Sequence, residues 1–217
     1  MKKYELTNET KVMFGRTLHR IRARISFITR DGNEIHAGDL GGWVENESNL
    51  EQDGNAWVCG NAWVYGDARV YGNARVYGNA RVSGDAQVYG NARVYGNAWV
   101  YGDAWVYGDA RVSGDARVSG NARVCGDARV YGNARVFRTD HILVIGPVGS
   151  RVAFTTFFRT KNREIWVSCG CFLGSLDAFL QKVQETHGDN KHARVYREAV
   201  EFAKMCIDLD ADEPENE

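Results

Sequence analysis

The sequence predicts a mainly β protein: a parallel β-helix of about five turns, with an N-terminal cap and a small C-terminal α+β domain. Residues 54 to 137 repeat one six-residue phrase fourteen times: Gly, Asn or Asp, Ala, a variable residue, Val and a second variable residue. No insertion or deletion breaks the register between Gly54-Asn55-Ala56-Trp57-Val58-Cys59 and Gly132-Asn133-Ala134-Arg135-Val136-Phe137. Ala and Val alternate with the variable positions, which is the period of a strand with one buried face. Gly-Asn and Gly-Asp supply corners that tolerate positive φ.

Each phrase is therefore a short strand and a corner, and such a strand cannot bury its Ala and Val alone. Coiling the chain so that later copies stack on earlier ones buries them. Three phrases make a triangular turn of 18 residues. The pattern resembles the hexapeptide-repeat parallel β-helix, and the resemblance implies the left-handed form. Here Gly follows Val by two positions, against one in the commonest hexapeptide pattern. The degenerate segments Gly42 to Glu47 and Ser48 to Asp53 keep the frame, so the rod spans residues 42–137. At ~4.8 Å between strands it stands roughly 25 Å tall.

Residues 1–41 read as a β cap over the open end, because exposed strand edges need covering. Within it, Ile25-Ser26-Phe27-Ile28 followed by Arg30-Asp31-Gly32-Asn33 reads as a strand and a turn. Met1-Lys2-Lys3-Tyr4-Glu5-Leu6 and Ala37-Gly38-Asp39-Leu40-Gly41-Gly42-Trp43-Val44 resemble the start of an uncharacterised enterobacterial β-helix family that carries an acetyltransferase label. That resemblance implies a fold and, by its label, acyl transfer.

Taking every third phrase gives the rod's outer faces. One stacks Trp57, Arg75, Arg93, Arg111 and Arg129; the second Trp63, Arg81, Trp99, Arg117 and Arg135; the third Arg69, Gln87, Trp105 and Arg123. The other outward position is mostly Tyr, and the third face has Asp67, Asp85, Asp103 and Asn121 at its corners. Stacked Arg among Tyr would suit phosphates and bases. The competing reading is that Arg planes lie on aromatic rings and merely cover the strands, or pack subunits together. Nine Arg against six Asp leave only +3 on the repeats, a weak footprint for nucleic acid, so that partner is not expected.

The rod has no His between His36 and His141, so the general base of hexapeptide acyltransferases and the metal ligands of the related β-helix carbonic anhydrases are missing. No Thr lies between Gly54 and Phe137, which removes the Thr array of ice-binding helices. The net charge of −1 points to neither nucleic acid nor membrane. Five scattered cysteines (Cys59, Cys125, Cys169, Cys171 and Cys206) suit a reducing cytoplasm. Tyr4-Glu5-Leu6-Thr7-Asn8-Glu9 after Lys2-Lys3 is no signal peptide, and the apolar run Ile142 to Ile145 is too short to span a bilayer.

Residues 138–207 read as an α+β domain of order βββαα. Its strands are His141 to Ile145, Val152 to Phe158 and Glu164 to Cys169. Ser175 caps a helix with Leu176, Phe179, Leu180 and Val183 on one stripe, and Asn190 caps another with Val195, Ala199, Phe202 and Ala203. Ile145-Gly146-Pro147-Val148-Gly149-Ser150-Arg151, Thr155-Thr156-Phe157-Phe158, Gly170-Cys171-Phe172 and Thr186-His187-Gly188 resemble a small domain frequent in bacteriophage and prophage proteins. That family implies a setting and no reaction.

The candidate ligand site is Gly146, Gly149, Ser150 and Arg151, with Thr155 and Thr156 as the nearest hydroxyls. Backbone N–H groups, a hydroxyl and a guanidinium there would cradle a phosphate or carboxylate; the plain alternative is a hairpin turn. It is no P-loop, lacking the Lys-Ser/Thr ending. Cys169-Gly170-Cys171 with His187 and His192 is spaced too closely for a zinc knuckle, so no metal, catalytic residue or cofactor is expected. The acidic tail, residues 208–217, reads as disordered or as lying against rod arginines.

These features predict a non-catalytic binding or scaffold protein of phage or prophage type, cytoplasmic and homo-oligomeric. The rod would set spacing, and the C-terminal domain would recognise a nucleotide-like anion or a host protein; a role against host defence is implied by the phage resemblance alone. The alternatives are an acyltransferase holding coenzyme A in the rod's outer groove, and nucleic-acid binding by the Arg/Tyr ladders.

Overall fold

A computed structural model describes residues 1–213. The rod is built as the period requires. Fourteen two-residue strands run from β6 (Trp57–Val58) and β7 (Trp63–Val64), every six residues, to β18 (Arg129–Val130) and β19 (Arg135–Val136). All but the last three pair in parallel with the strand 18 residues on, as in Trp63↔Arg81, Arg81↔Trp99, Trp99↔Arg117 and Arg117↔Arg135. The three resulting sheets are the three faces read from the sequence, in a β-solenoid of about five turns. Every repeat Ala and Val is fully buried, Ala86 and Val88 among them, while Gln87 between them points outward and only half-buried. The corners need glycine twice over. At Gly84 φ is +65°, and a Cβ would stand 2.9 Å from the Gly102 amide in the next turn.

Side chains continue the stacking outside. Asn61 Nδ2 donates to Asn79 Oδ1 (3.5 Å), Asn79 to Asn97 (3.2 Å) and Asn97 to Asp115 (3.0 Å). A second corner runs Asn73 to Asn91 to Asp109, both at 3.2 Å. Tyr71, Tyr89 and Tyr107 stack at 4.8 and 4.9 Å with nearly parallel rings. Arg81 lies 4.6 Å over the Trp63 ring, and Arg117 lies 5.7 Å over Trp99.

The N-terminal end is closed by more structure than a single strand and turn. β1 (Tyr4–Met13) and β2 (Arg16–Ala23) form an antiparallel hairpin, followed by β3 (Phe27–Ile28), β4 (Glu34–Ile35) and β5 (Leu40–Val44). β2 pairs with β5, and β5 pairs in parallel with β7, so the hairpin prolongs one rod face. Tyr4, Ile21 and Ala23 enter the rod core, and the Tyr4 hydroxyl donates to the Glu47 (2.9 Å) and Leu50 (2.7 Å) carbonyls. The rings of Phe27 and Tyr4 meet Trp57 edge-on at 5.4 and 6.4 Å. Trp57 sits at an outward position of the repeat yet is 1% exposed, because the cap covers it. Arg75, next on that face, is buried against Asp31 of the cap in an ion pair.

The C-terminal end is closed by an antiparallel sheet of order β20-β21-β22-β23: Ile142–Val148, Ala153–Arg159, Ile165–Cys169 and Phe172–Ser175. The fourth strand is one more than the sequence pattern showed. It turns back on β22 through Gly170, whose φ is +61°. Alternation puts neighbours on opposite faces. Phe158 plugs the rod core, while Phe157 packs with α1 (Leu176–His187) and α2 (Lys191–Cys206). Both helices start where expected: Ser175 accepts from the Ala178 amide, and Asn190 from the His192 and Ala193 amides. Phe202, expected on the apolar stripe of α2, is instead 49% exposed. The buried face there is Ala193, Tyr196, Ala199, Val200 and Ala203, a set centred one position away.

Rod and sheet are bonded together. The Lys161 amide donates to the Asn133 carbonyl (3.0 Å), and Ala134 and Thr160 form an antiparallel bridge. His141 is wholly buried at this junction, its ring 4.1 Å from Phe137, and burial together with the Arg159 charge pushes its pKa down to about 4. Of the acidic tail, residues 214–217 lie outside the described residues. Asp208 and Glu213 pair with Arg138 and Arg135, and Asp212 with Arg163. No helix among the described residues is long and apolar enough to cross a membrane.

Candidate functional site

A cavity of about 440 Å³ opens in the C-terminal domain between the sheet and α1, within the size range of small-molecule sites. β22 and the turn into β23 bring Cys169, Gly170, Cys171 and Phe172 to one wall. α1 brings Phe179, Lys182, Val183, Thr186 and His187, and α2 brings Tyr196. Ser150 and Arg151 come from the β20–β21 loop. The aromatic residues form the floor: Phe172 and Phe179 lie 5.3 Å apart, and Tyr196 meets Phe179 edge-on at 5.4 Å.

The polar groups around that floor share one character. Arg151 and Lys182 are cations, His187 is a neighbouring imidazole, and among the described residues no carboxylate lines the cavity. Lys182 pairs with Glu185 on its exposed side (3.1 Å); Arg151 has no ion-pair partner among the described residues. Burial and the Cys169 thiol push the Tyr196 pKa up to about 12. Such a chamber suits a ligand with a flat apolar body and an anionic group.

The structure divides the six residues singled out from sequence. Ser150 and Arg151 reach the cavity. Gly146 and Gly149 do not line it, although the loop needs both. A Cβ at Gly149 would fall on the Tyr196 hydroxyl, and one at Gly146 would stand 2.8 Å from Phe154. Their bareness makes room for side chains of the same domain. Thr155 and Thr156 are buried in β21: Thr155 donates to the Cys169 sulfur (3.3 Å), and the Thr156 hydroxyl accepts from the Arg129 amide of the rod (3.0 Å). Alternation puts Thr156 on the rod side with Phe158 and Thr155 on the helix side with Phe157, its hydroxyl bonded to Cys169 of the cavity wall; neither lines the cavity itself.

The sequence reading missed Lys182, Thr186, His187, Phe172 and Tyr196 as site residues. The i, i+3 and i+4 spacing of Phe179, Lys182, Val183, Thr186 and His187 along α1 was the available signal, since it puts cationic and apolar groups on one helical side. Cys169 and Cys171 line one wall as thiols. Among the described residues no three of His, Cys, Asp and Glu converge as metal ligands.

Stacked parallel strands, a buried Ala/Val core and two closed ends define the molecule as a repeat β-helix protein. More particularly, its repeats are similar to the YdcK beta solenoid repeat, matched at 68–84, 74–87, 86–102, 104–120, 110–126, 116–130 and 128–138. No curated protein matches the chain. The repeat matches end at the rod's last turn, so they carry nothing about the cavity beyond it.

Proposed function

We propose that the protein is a non-catalytic binding and scaffold protein of phage or prophage type, acting in the cytoplasm, whose C-terminal domain holds a nucleotide-like anion. The observation that carries this reading is the cavity itself: an aromatic floor under Arg151 and Lys182, with no acid in the lining among the described residues. A planar guanidinium without an ion-pair partner among the described residues is matched to phosphate or carboxylate. In this reading the rod is a rigid spacer, and its outer Arg and aromatic residues cover one another, as Arg81 does Trp63. Self-association is part of the proposal; β1 supports it, since it forms the edge of its sheet and pairs only with β2 among the described residues. Five thiols and no disulfide support the reducing compartment.

Titration calorimetry with the four ribonucleoside monophosphates tests the reading. At least one should bind, and Arg151→Ala should weaken it about tenfold to a hundredfold, the usual cost of a lost charge-assisted contact. Arg93→Ala, on the rod, should leave the monophosphate affinity unchanged. Equal affinities for wild type and Arg151→Ala, with the far-ultraviolet spectrum intact, would remove this cavity from the account.

A further inference from the structure

The rod itself reaches the cavity mouth. β18 lies against the C-terminal sheet, where the Arg129 amide is tied to the Thr156 hydroxyl, and this directs the Arg129 side chain to Gly170. There its Nη1 donates to the Gly170 carbonyl at 3.4 Å. From the cavity side, Arg151 brings its own Nη1 to 3.5 Å from the point where a Gly170 Cβ would stand. Two guanidinium groups from different parts of the molecule thus flank one glycine at the lip. Neither arginine has an ion-pair partner among the described residues. Arg75 and Arg135, by contrast, are neutralised from within the chain, by Asp31 and Glu213.

Like charges that approach one residue from two sides repel, and an anion taken up by both relieves the repulsion. In the proposed reading, Arg151 and Lys182 inside the cavity serve one anionic group. Arg129 stands beyond them, outside the cavity lining, where a second or third anionic group of an elongated ligand would lie. We infer that the ligand is a nucleoside polyphosphate, its base on the floor of Phe172, Phe179 and Tyr196. Its first phosphate lies at Arg151 and Lys182, and its outer phosphates at Arg129. This inference rests on the reading of the cavity as an anion site and assigns a rod residue to it. Beyond Arg129, strand pairing aligns Arg111 and Arg93 on the same face. Successive rungs are ~4.8 Å apart, so a triphosphate ends before Arg93.

The test is calorimetry on the whole chain without divalent metal, comparing ribonucleoside mono- and triphosphates of each base and a single-stranded ribotetranucleotide. The expected result is a triphosphate bound about tenfold or more tightly than its monophosphate, by one added charge-assisted contact. Arg129→Ala should abolish that gain and leave the monophosphate affinity unchanged. The substitution keeps the main-chain amide that Thr156 uses, so its melting temperature should match the wild type. Equal binding of mono- and triphosphate, or equal weakening of both by Arg129→Ala, would overturn the inference and leave the cavity reading standing. No binding of any nucleotide would overturn both. A tetranucleotide that binds more tightly than every triphosphate, and is weakened by Arg93→Ala, would replace the ligand class with single-stranded nucleic acid.

Discussion

In the rod the buried side chains are Ala and Val at every turn, each lying on its own copy one turn away. In the C-terminal domain they are Phe157, Val167, Phe179, Tyr196 and Val200, brought from two strands and two helices. The first arrangement repeats one small contact from turn to turn. The second sets unlike shapes together and leaves a cavity of about 440 Å³. A repeat stacks copies of itself; irregular packing at its end supplies the larger cavity described above.

The comparison breaks most directly in the rod core. Val88→Asp places a charge where Val88 has no exposure, which costs several kcal/mol and should unfold the neighbouring turns. Thermal melts followed by circular dichroism would show it as a large loss of melting temperature, and an unchanged melt would refute the buried core. Next in size is an effect at the junction. His141 has a folded pKa of about 4 against 6.5 for the free side chain, so the folded state takes up fewer protons between those values. Stability is therefore full above about pH 6.5 and falls by about 3 kcal/mol as pH drops towards 4. Urea titrations from pH 7 to 4 should show that acid limb, and His141→Asn should flatten it. If the slope is the same in both, the junction does not titrate.

Smaller still is the corner. Gly84→Ala combines a positive φ with a close approach to Gly102 and should cost about 1–3 kcal/mol. Gly126→Ala has a similar φ, but nothing stands within 4 Å of its Cβ, so it should cost less. The order of the two in a melt separates strain from crowding. Gln87→Ala loses only the hydrogen bond from the Tyr71 hydroxyl (3.0 Å) and should cost about 1 kcal/mol or less. A loss as large as that of Val88→Asp would invert the assignment of inside and outside.

The rod was legible because its contacts are encoded locally. Any residue's neighbour is its copy 18 positions on, so a period is also a contact map. The caps were not, because their contacts belong to no period. The β1–β2 hairpin turns on Phe14 and Gly15, both at positive φ, in place of an Asn-Gly or Asp-Gly signal. Trp57 is buried by Tyr4 and Phe27, which lie far from it in sequence. At the candidate site, Ser150 and Arg151 were found through loop chemistry, and the helix caps through Ser175 and Asn190. Thr155 and Thr156 were misplaced because a hydroxyl near a loop in sequence belongs, in a strand, to whichever face alternation gives it. The cavity wall of α1 needed the packing of α1 on the sheet, which no single segment states.

The pairing of each rod strand with the one 18 residues later also couples length to orientation. Removing residues 84–101 would shorten the shaft by ~4.8 Å and leave its two ends facing as before. Removing only residues 84–89 would keep every Ala and Val inward, yet index the C-terminal domain by one face of the three relative to the cap. The seam between Arg129 and Gly170 would survive both deletions, since it lies entirely downstream. The molecule is thus a shaft with three stops per revolution, on which the direction of the cavity is set by phrase number and its distance by turn number.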